Sequence, residues 1–173
     1  MRLESKSIRL RLIESADAEF ILKLRVDERY NQFLSAVTPN IEMQREWIAS
    51  YKNDEHKKLQ YYFIIERNDG TPCGTVRLYD FKGDSFTWGS WILNEDKTPY
   101  SALESAFLVY QFAFDTLKLN KSHFEVRKGN SKVISFHQKM GAVQTGENDI
   151  ELFFEITKEA VAVTRSKLSS KIS

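Results

Sequence analysis

One stretch restricts the fold of this chain more than any other: Phe124-Glu125-Val126-Arg127-Lys128-Gly129-Asn130-Ser131-Lys132-Val133-Ile134-Ser135-Phe136-His137-Gln138-Lys139-Met140-Gly141-Ala142. Its beginning alternates with the period of a strand. Ser122, Phe124 and Val126 share one face, and His123, Glu125 and Arg127 share the other. Gly129-Asn130 breaks the run. Asn130 or Ser131 then caps a helix that places Val133, Ile134, His137 and Met140 on one face. Gly141 ends that helix as a left-handed stop. A strand, a tight turn and one short helix must therefore pack as a unit.

The segments before it set the rest of the architecture. Ser7 to Glu14 alternates as a first strand. Ser15 or Asp17 caps a helix carrying Phe20, Ile21 and Leu24, and 26–39 reads as loop. Asn40 caps a second helix with Met43, Trp47 and Tyr51 on one side, and the polar run 53–58 reads as loop. Tyr61 to Arg67, Cys73 to Asp80 and Ser85 to Leu93 then form a meander, with turns at Asn68-Asp69-Gly70 and Lys82-Gly83-Asp84. Three strands without crossover helices must pair antiparallel. Ser101-Ala102-Leu103-Glu104 has the form of a capping box, and the helix that follows is apolar almost all round, so it belongs in the centre. The segments 143–147 and 150–156 form a last hairpin, and Thr157 caps a C-terminal helix over 157–169.

The stretch FEVRKGNSKVISFHQKMGA resembles the GNAT acyltransferase superfamily, whose pattern is a strand LEVR, an Asn at the turn and a helix ending LYxxxGF. His137 stands where that pattern has Tyr, and Ala142 where it has the last aromatic. The resemblance spans 7–156. It implies an α+β fold layered α/β/α, a mixed, mostly antiparallel sheet flanked by helices, in one domain over 1–173.

It also implies an N-acetyltransferase that moves an acetyl group from acetyl-CoA, as co-substrate, to a primary amine. In the family a Gln/Arg-x-x-Gly-x-Gly/Ala loop wraps the coenzyme pyrophosphate ahead of the central helix. The matching residues here are Lys97, Thr98, Pro99, Tyr100, Ser101 and Ala102, with Tyr100 in place of the glycine. The fourth and fifth strands should splay near Ile92 and Leu93, where a main-chain amide would polarise the thioester. Asn130 would hold the pantetheine arm or cap its helix. Glu125 would be the general base and His137 the general acid, separated by 12 residues as in some family members. Each also has a plainer reading, Glu125 as an ion-pair partner and His137 as a core histidine. Trp47, Tyr79 and Trp88 are the aromatic candidates for acceptor binding.

Charge and composition narrow the partners. Lys plus Arg is 25 and Asp plus Glu is 24, so no global field favours nucleic acid or a membrane surface. No apolar run approaches the ~20 residues of a bilayer span, the N-terminus lacks an apolar signal segment, and Cys73 is the one cysteine, so the expected setting is cytoplasmic. The expected acceptor is a small-molecule amine, foremost a nucleotide-linked amino sugar, with the enzyme a monomer or homodimer. The alternatives are a ribosomal-protein type N-terminal acetyltransferase and a non-catalytic binding module of the same fold.

Overall fold

The computed structural model describes residues 1–172. Among them the chain forms eight strands and five helices, with the strands in one sheet of order β1-β2-β3-β4-β5-β6-β8-β7. The strands are β1 (Arg2–Glu4), β2 (Ile8–Leu12), β3 (Tyr61–Arg67), β4 (Pro72–Lys82), β5 (Ser85–Leu93), β6 (Lys121–Arg127), β7 (Val143–Glu147) and β8 (Glu151–Thr157). All neighbours are antiparallel except β5 and β6. The helices are α1 (Ala18–Val26), α2 (Ile41–His56), α3 (Ser101–Gln111), α4 (Ser131–Met140) and α5 (Lys158–Ile172); a π-turn, Phe112–Thr116, continues α3.

Two apolar layers sandwich the sheet. Phe63, Val76, Leu78, Phe86, Trp88, Phe124, Phe154 and Ile156 pack with α3, α4 and α5 on one face. Ile13, Tyr62 and Ile64 pack with Ile21 of α1 and Ile48 and Tyr51 of α2 on the other. The alternation predicted for β6 holds, with Ser122, Phe124 and Val126 buried and Glu125 exposed. Gly141 follows α4 at φ 111°, the left-handed stop that the sequence called for.

Several local expectations change. The first strand is shorter, Ile8–Leu12, and Arg2–Glu4 pairs on its outer edge. The run 53–58 is not a loop. It carries α2 on to His56, where Lys52 pairs with Glu55, and the helix closes beyond it at Lys58, φ 62°. That run is the solvated face of a helix anchored by Ile48 and Tyr51. Met43, expected on the inner face, is 50% exposed, because the buried side of α2 runs through Ile41, Ile48 and Tyr51. The strand expected over 73–80 extends over Pro72–Lys82, and the C-terminal helix runs to Ile172. Among the described residues no helix is long and apolar enough to cross a membrane.

Candidate active site

The site begins with a gap in the sheet. β5 and β6 pair only at Ser85–Lys121 and Phe86–Ser122, then separate. Beyond Thr87 the β6 side of β5 has no ladder partner, so its main-chain groups up to Leu93 face a cleft. Side-chain bonds hold the closed end. His123 Nδ1 lies 2.5 Å from Ser85 Oγ, and its Nε2 lies 3.0 Å from Asp80 Oδ2. Thr87 Oγ1 donates to the His123 carbonyl.

A bulge shapes the open end. Arg77 faces Gly89 and Thr75 faces Ile92, so two steps on β4 oppose three on β5. Ser90 takes up the extra residue at φ 48°, and Thr75 Oγ1 donates to its carbonyl. The bulge keeps Trp88 and Trp91 on the same face although three positions separate them. Their rings lie 5.0 Å apart, and Trp91 Nε1 donates to Ser105 Oγ of α3.

The start of α3 supplies the second part. The predicted capping box does not form: no side chain caps this helix. Ser101 Oγ turns back and accepts from the Thr98 amide. Glu104, 1% exposed, accepts from the Ser7 amide and the Ser5 hydroxyl and bonds the Ser7 hydroxyl, pinning the N-terminal strands to α3. The tertiary donors win over the local amide because they reach the carboxylate in the dry interior. The first turn of α3 is thereby left open at a positive dipole end, as a pyrophosphate requires. Tyr100 adopts φ −111°, so glycine is not needed there, and Lys171 covers its ring at 5.8 Å. Lys97 and Pro99 are exposed beside this turn, and Thr98 and Ala102 are partly buried. Asn130 occupies the N-cap of α4 but makes no side-chain cap bond, which leaves its amide group uncommitted.

Ile92 is buried and Leu93 half-buried at the open end of β5. These groups fit acetyl-CoA: an open helix start for phosphate, and an unpaired strand edge for an amide-bearing arm.

The two catalytic candidates occupy opposite faces of the sheet. His137 lies on the α3 side, 5% exposed, in an aromatic box of Trp88, Trp91, Phe124 and Phe136. Its Nδ1 has no hydrogen-bond partner, and burial pulls its pKa down to about 4, so the ring is neutral at neutral pH. Glu125 points to the α2 side, exposed, close enough to Tyr79 to raise the phenol's pKa further after burial has raised it. The sheet stands between the pair.

The acceptor candidates divide in the same way. Trp88 is a core residue, 5% exposed, and donates from Nε1 to Tyr110 Oη, so it offers no wall to a ligand. Trp47, 39% exposed, stacks on Tyr51 and meets Tyr62 edge-on. The Arg77 guanidinium lies 5.9 Å from the Tyr62 ring and 4.3 Å from the Tyr79 ring. Trp47, Tyr62, Arg77 and Tyr79 thus form one ladder across the α2 face. Sequence reasoning missed Arg77 and Tyr62. The available signal was a lone arginine inside the apolar run Val76-Arg77-Leu78-Tyr79. Cys73 is buried with its thiol pushed up to about 11, which suits packing rather than nucleophilic attack.

A separate cavity of about 170 Å³ between α1 and the loop after β5 includes none of the candidate residues, and its Asp27 and Glu95 already pair with Arg29.

Residues 7–143 match the family model described as "Acetyltransferase (GNAT) domain". A search of curated proteins finds no match. Among solved structures, the chain is similar to apo FdhC, a nucleotide-linked sugar GNAT. The identity is 48% over 98% of this chain and 97% of that one, with a TM-score of 0.90. It shares its fold with the ribosomal-protein-S5-alanine acetyltransferase from Vibrio fischeri, at 16% identity, TM-score 0.78, and 92% and 97% coverage. The same holds for the spermidine N-acetyltransferase from Vibrio cholerae in complex with CoA and spermine, at 17% identity, TM-score 0.73, and 90% and 98% coverage.

Proposed function

Since the chain belongs to the GNAT acetyltransferase family, we propose that it acetylates the primary amine of a nucleotide-linked amino sugar, using acetyl-CoA in the cytoplasm. The observation that carries this reading is the 48% identity to a nucleotide-linked sugar GNAT over nearly the full length of both chains. The acceptor face agrees with it. Trp47 and Tyr79 offer flat rings to a sugar or base.

The coenzyme enters from the α3 face. Lys97 and the open first turn of α3 take the pyrophosphate, the β5 edge at Ile92–Leu93 takes the pantetheine arm, and Asn130 steadies it from α4. The thioester then lies in the splay, with its carbonyl against a main-chain amide of β5. The amine arrives from the α2 face. It must be neutral to attack, and Glu125 on that face accepts its proton through water. Carbon–nitrogen bond formation and carbon–sulfur cleavage release a thiolate on the α3 side. His137, neutral and with an uncommitted Nδ1, offers that sulfur a hydrogen bond from its ring rather than a proton from an imidazolium. The opposite-face placement of Glu125 and His137 is what a base for the amine and a donor for the sulfur each need.

Thiol release from acetyl-CoA tests the reading across a panel of nucleotide-linked amino sugars, free amino sugars, polyamines and N-terminal peptides. Turnover should be fastest with the nucleotide-linked sugars. Turnover of peptides alone would sink it.

A further inference from the structure

The arginines of the sheet are not treated alike. Arg9 and Arg11, 20% and 29% exposed at their side chains, both pair with Glu66, and Arg11 also pairs with Asp17. Arg77 is partly buried too, yet no carboxylate pairs with it among the described residues. Its guanidinium donates from Nη1 to Gln60 Oε1 at 3.3 Å and also bonds the Tyr79 hydroxyl, while its Nε is buried without a partner. Tyr62, whose ring it approaches, is 1% exposed, and its hydroxyl is also buried and unpartnered. Two adjacent buried donors without acceptors are costly unless something arrives to accept from them. The residue opposite Arg77 on β5 is Gly89, and the Tyr79 hydroxyl closes over it, 3.1 Å from where a Cβ would stand.

We propose that Arg77, with Tyr62 behind it, binds a phosphate of the acceptor and so makes the enzyme select phosphate-bearing amines. The inference rests on the acceptor reading above and adds the residue that enforces it. The guanidinium lies against two tyrosine rings, and its planar fork of donors is the group that suits phosphate oxygens. Arg77 lies on β4 and the splay lies beyond β5, so anion and amine are separated by roughly 10 Å, two strand spacings. A sugar ring between an amine and a diphosphate spans that interval. Glu125 faces the same side and, like Arg77, acts on the Tyr79 phenol, but no ion pair joins it to Arg77 among the described residues.

The test uses the full chain and its Arg77→Met and Arg77→Lys variants, with folding checked by circular dichroism. Uridine diphosphate binding is measured by calorimetry, and KM is compared for a nucleotide-linked amino sugar and for the same amino sugar without the nucleotide. The methionine variant should lose about 10- to 100-fold in diphosphate affinity and in KM for the linked sugar. It should keep its KM for the free sugar and its coenzyme affinity. Lysine, which keeps the charge but not the fork, should recover part of the loss. Equal diphosphate affinity in wild type and Arg77→Met, or a parallel shift for both sugars, would overturn the proposal. If wild type binds the diphosphate through Arg77 but turns over no nucleotide-linked sugar, the anion site stands and the acceptor reading falls. If the linked sugar is turned over with an unchanged KM in Arg77→Met, the acceptor reading stands and this proposal falls.

Discussion

On the face covered by α3, buried polar groups are matched. Glu104 accepts from Ser5 and Ser7, Trp88 donates to Tyr110, and Trp91 donates to Ser105. On the face covered by α2, Arg77 Nε and Tyr62 Oη are buried and unmatched. Among the described residues, the orphan on the α3 face is His137 Nδ1, next to the splayed strands. A folded chain leaves few such groups unpaired, because each costs about 1–3 kcal/mol. One lies beside the cleft between β5 and β6 and two lie on β3 and β4 across the sheet, so each face keeps a place where a ligand can supply the missing partner. On the proposed reading, the α3 face holds the coenzyme against a largely satisfied core, and the α2 face is the one that an acceptor completes.

The strongest way to break this comparison is through His137. Its folded pKa is about 4 and its ordinary value 6.5. As pH falls below about 6.5 the unfolded chain takes up a proton that the buried ring refuses, so stability declines down to pH 4 and levels off below it. The loss is about 3 kcal/mol over that window. His137→Phe should remove this component, seen as a flatter profile of urea-unfolding free energy against pH. Its kcat should also drop by roughly 10²-fold if the ring donates to the departing sulfur. A variant with full kcat and only the altered pH profile would return His137 to the structural layer.

Glu125→Gln probes the other face. Expected is a fall in kcat/KM of up to roughly 10²-fold, deepest at low pH, where most acceptor amines carry a proton, with coenzyme affinity and melting temperature intact. A uniform rate at all pH values would leave the site to act by positioning alone. The smallest effect is expected at the coenzyme entrance. Lys97 is exposed, so Lys97→Glu should weaken acetyl-CoA binding by only several-fold, and less so in high salt. Calorimetry at two ionic strengths decides it, and an unchanged affinity would move the phosphates elsewhere along α3.

Periodicity and turn chemistry determined most of the framework before any packing was known. Tyr61–Arg67 and Ser85–Leu93 have the limits expected from the turns that bound them, and Gly141 ends α4 because only a left-handed residue closes the helix there. Local rules also misled where a distant partner outbid a near one. Glu104 suits a capping box three residues after Ser101, yet it binds Ser5 and Ser7, which lie 99 and 97 positions away. Tertiary structure alone decided what covers each face of the sheet, and an extra residue in β5 brought Trp91 onto the face of Trp88. It put Trp88 in the core, set Glu125 and His137 across the sheet from each other, and left Arg77 opposite a glycine and, among the described residues, without a carboxylate paired to it. Spacing along a strand states which residues share a face. Which groups end up without a partner depends on what the rest of the chain brings to that face, and no local pattern encodes it.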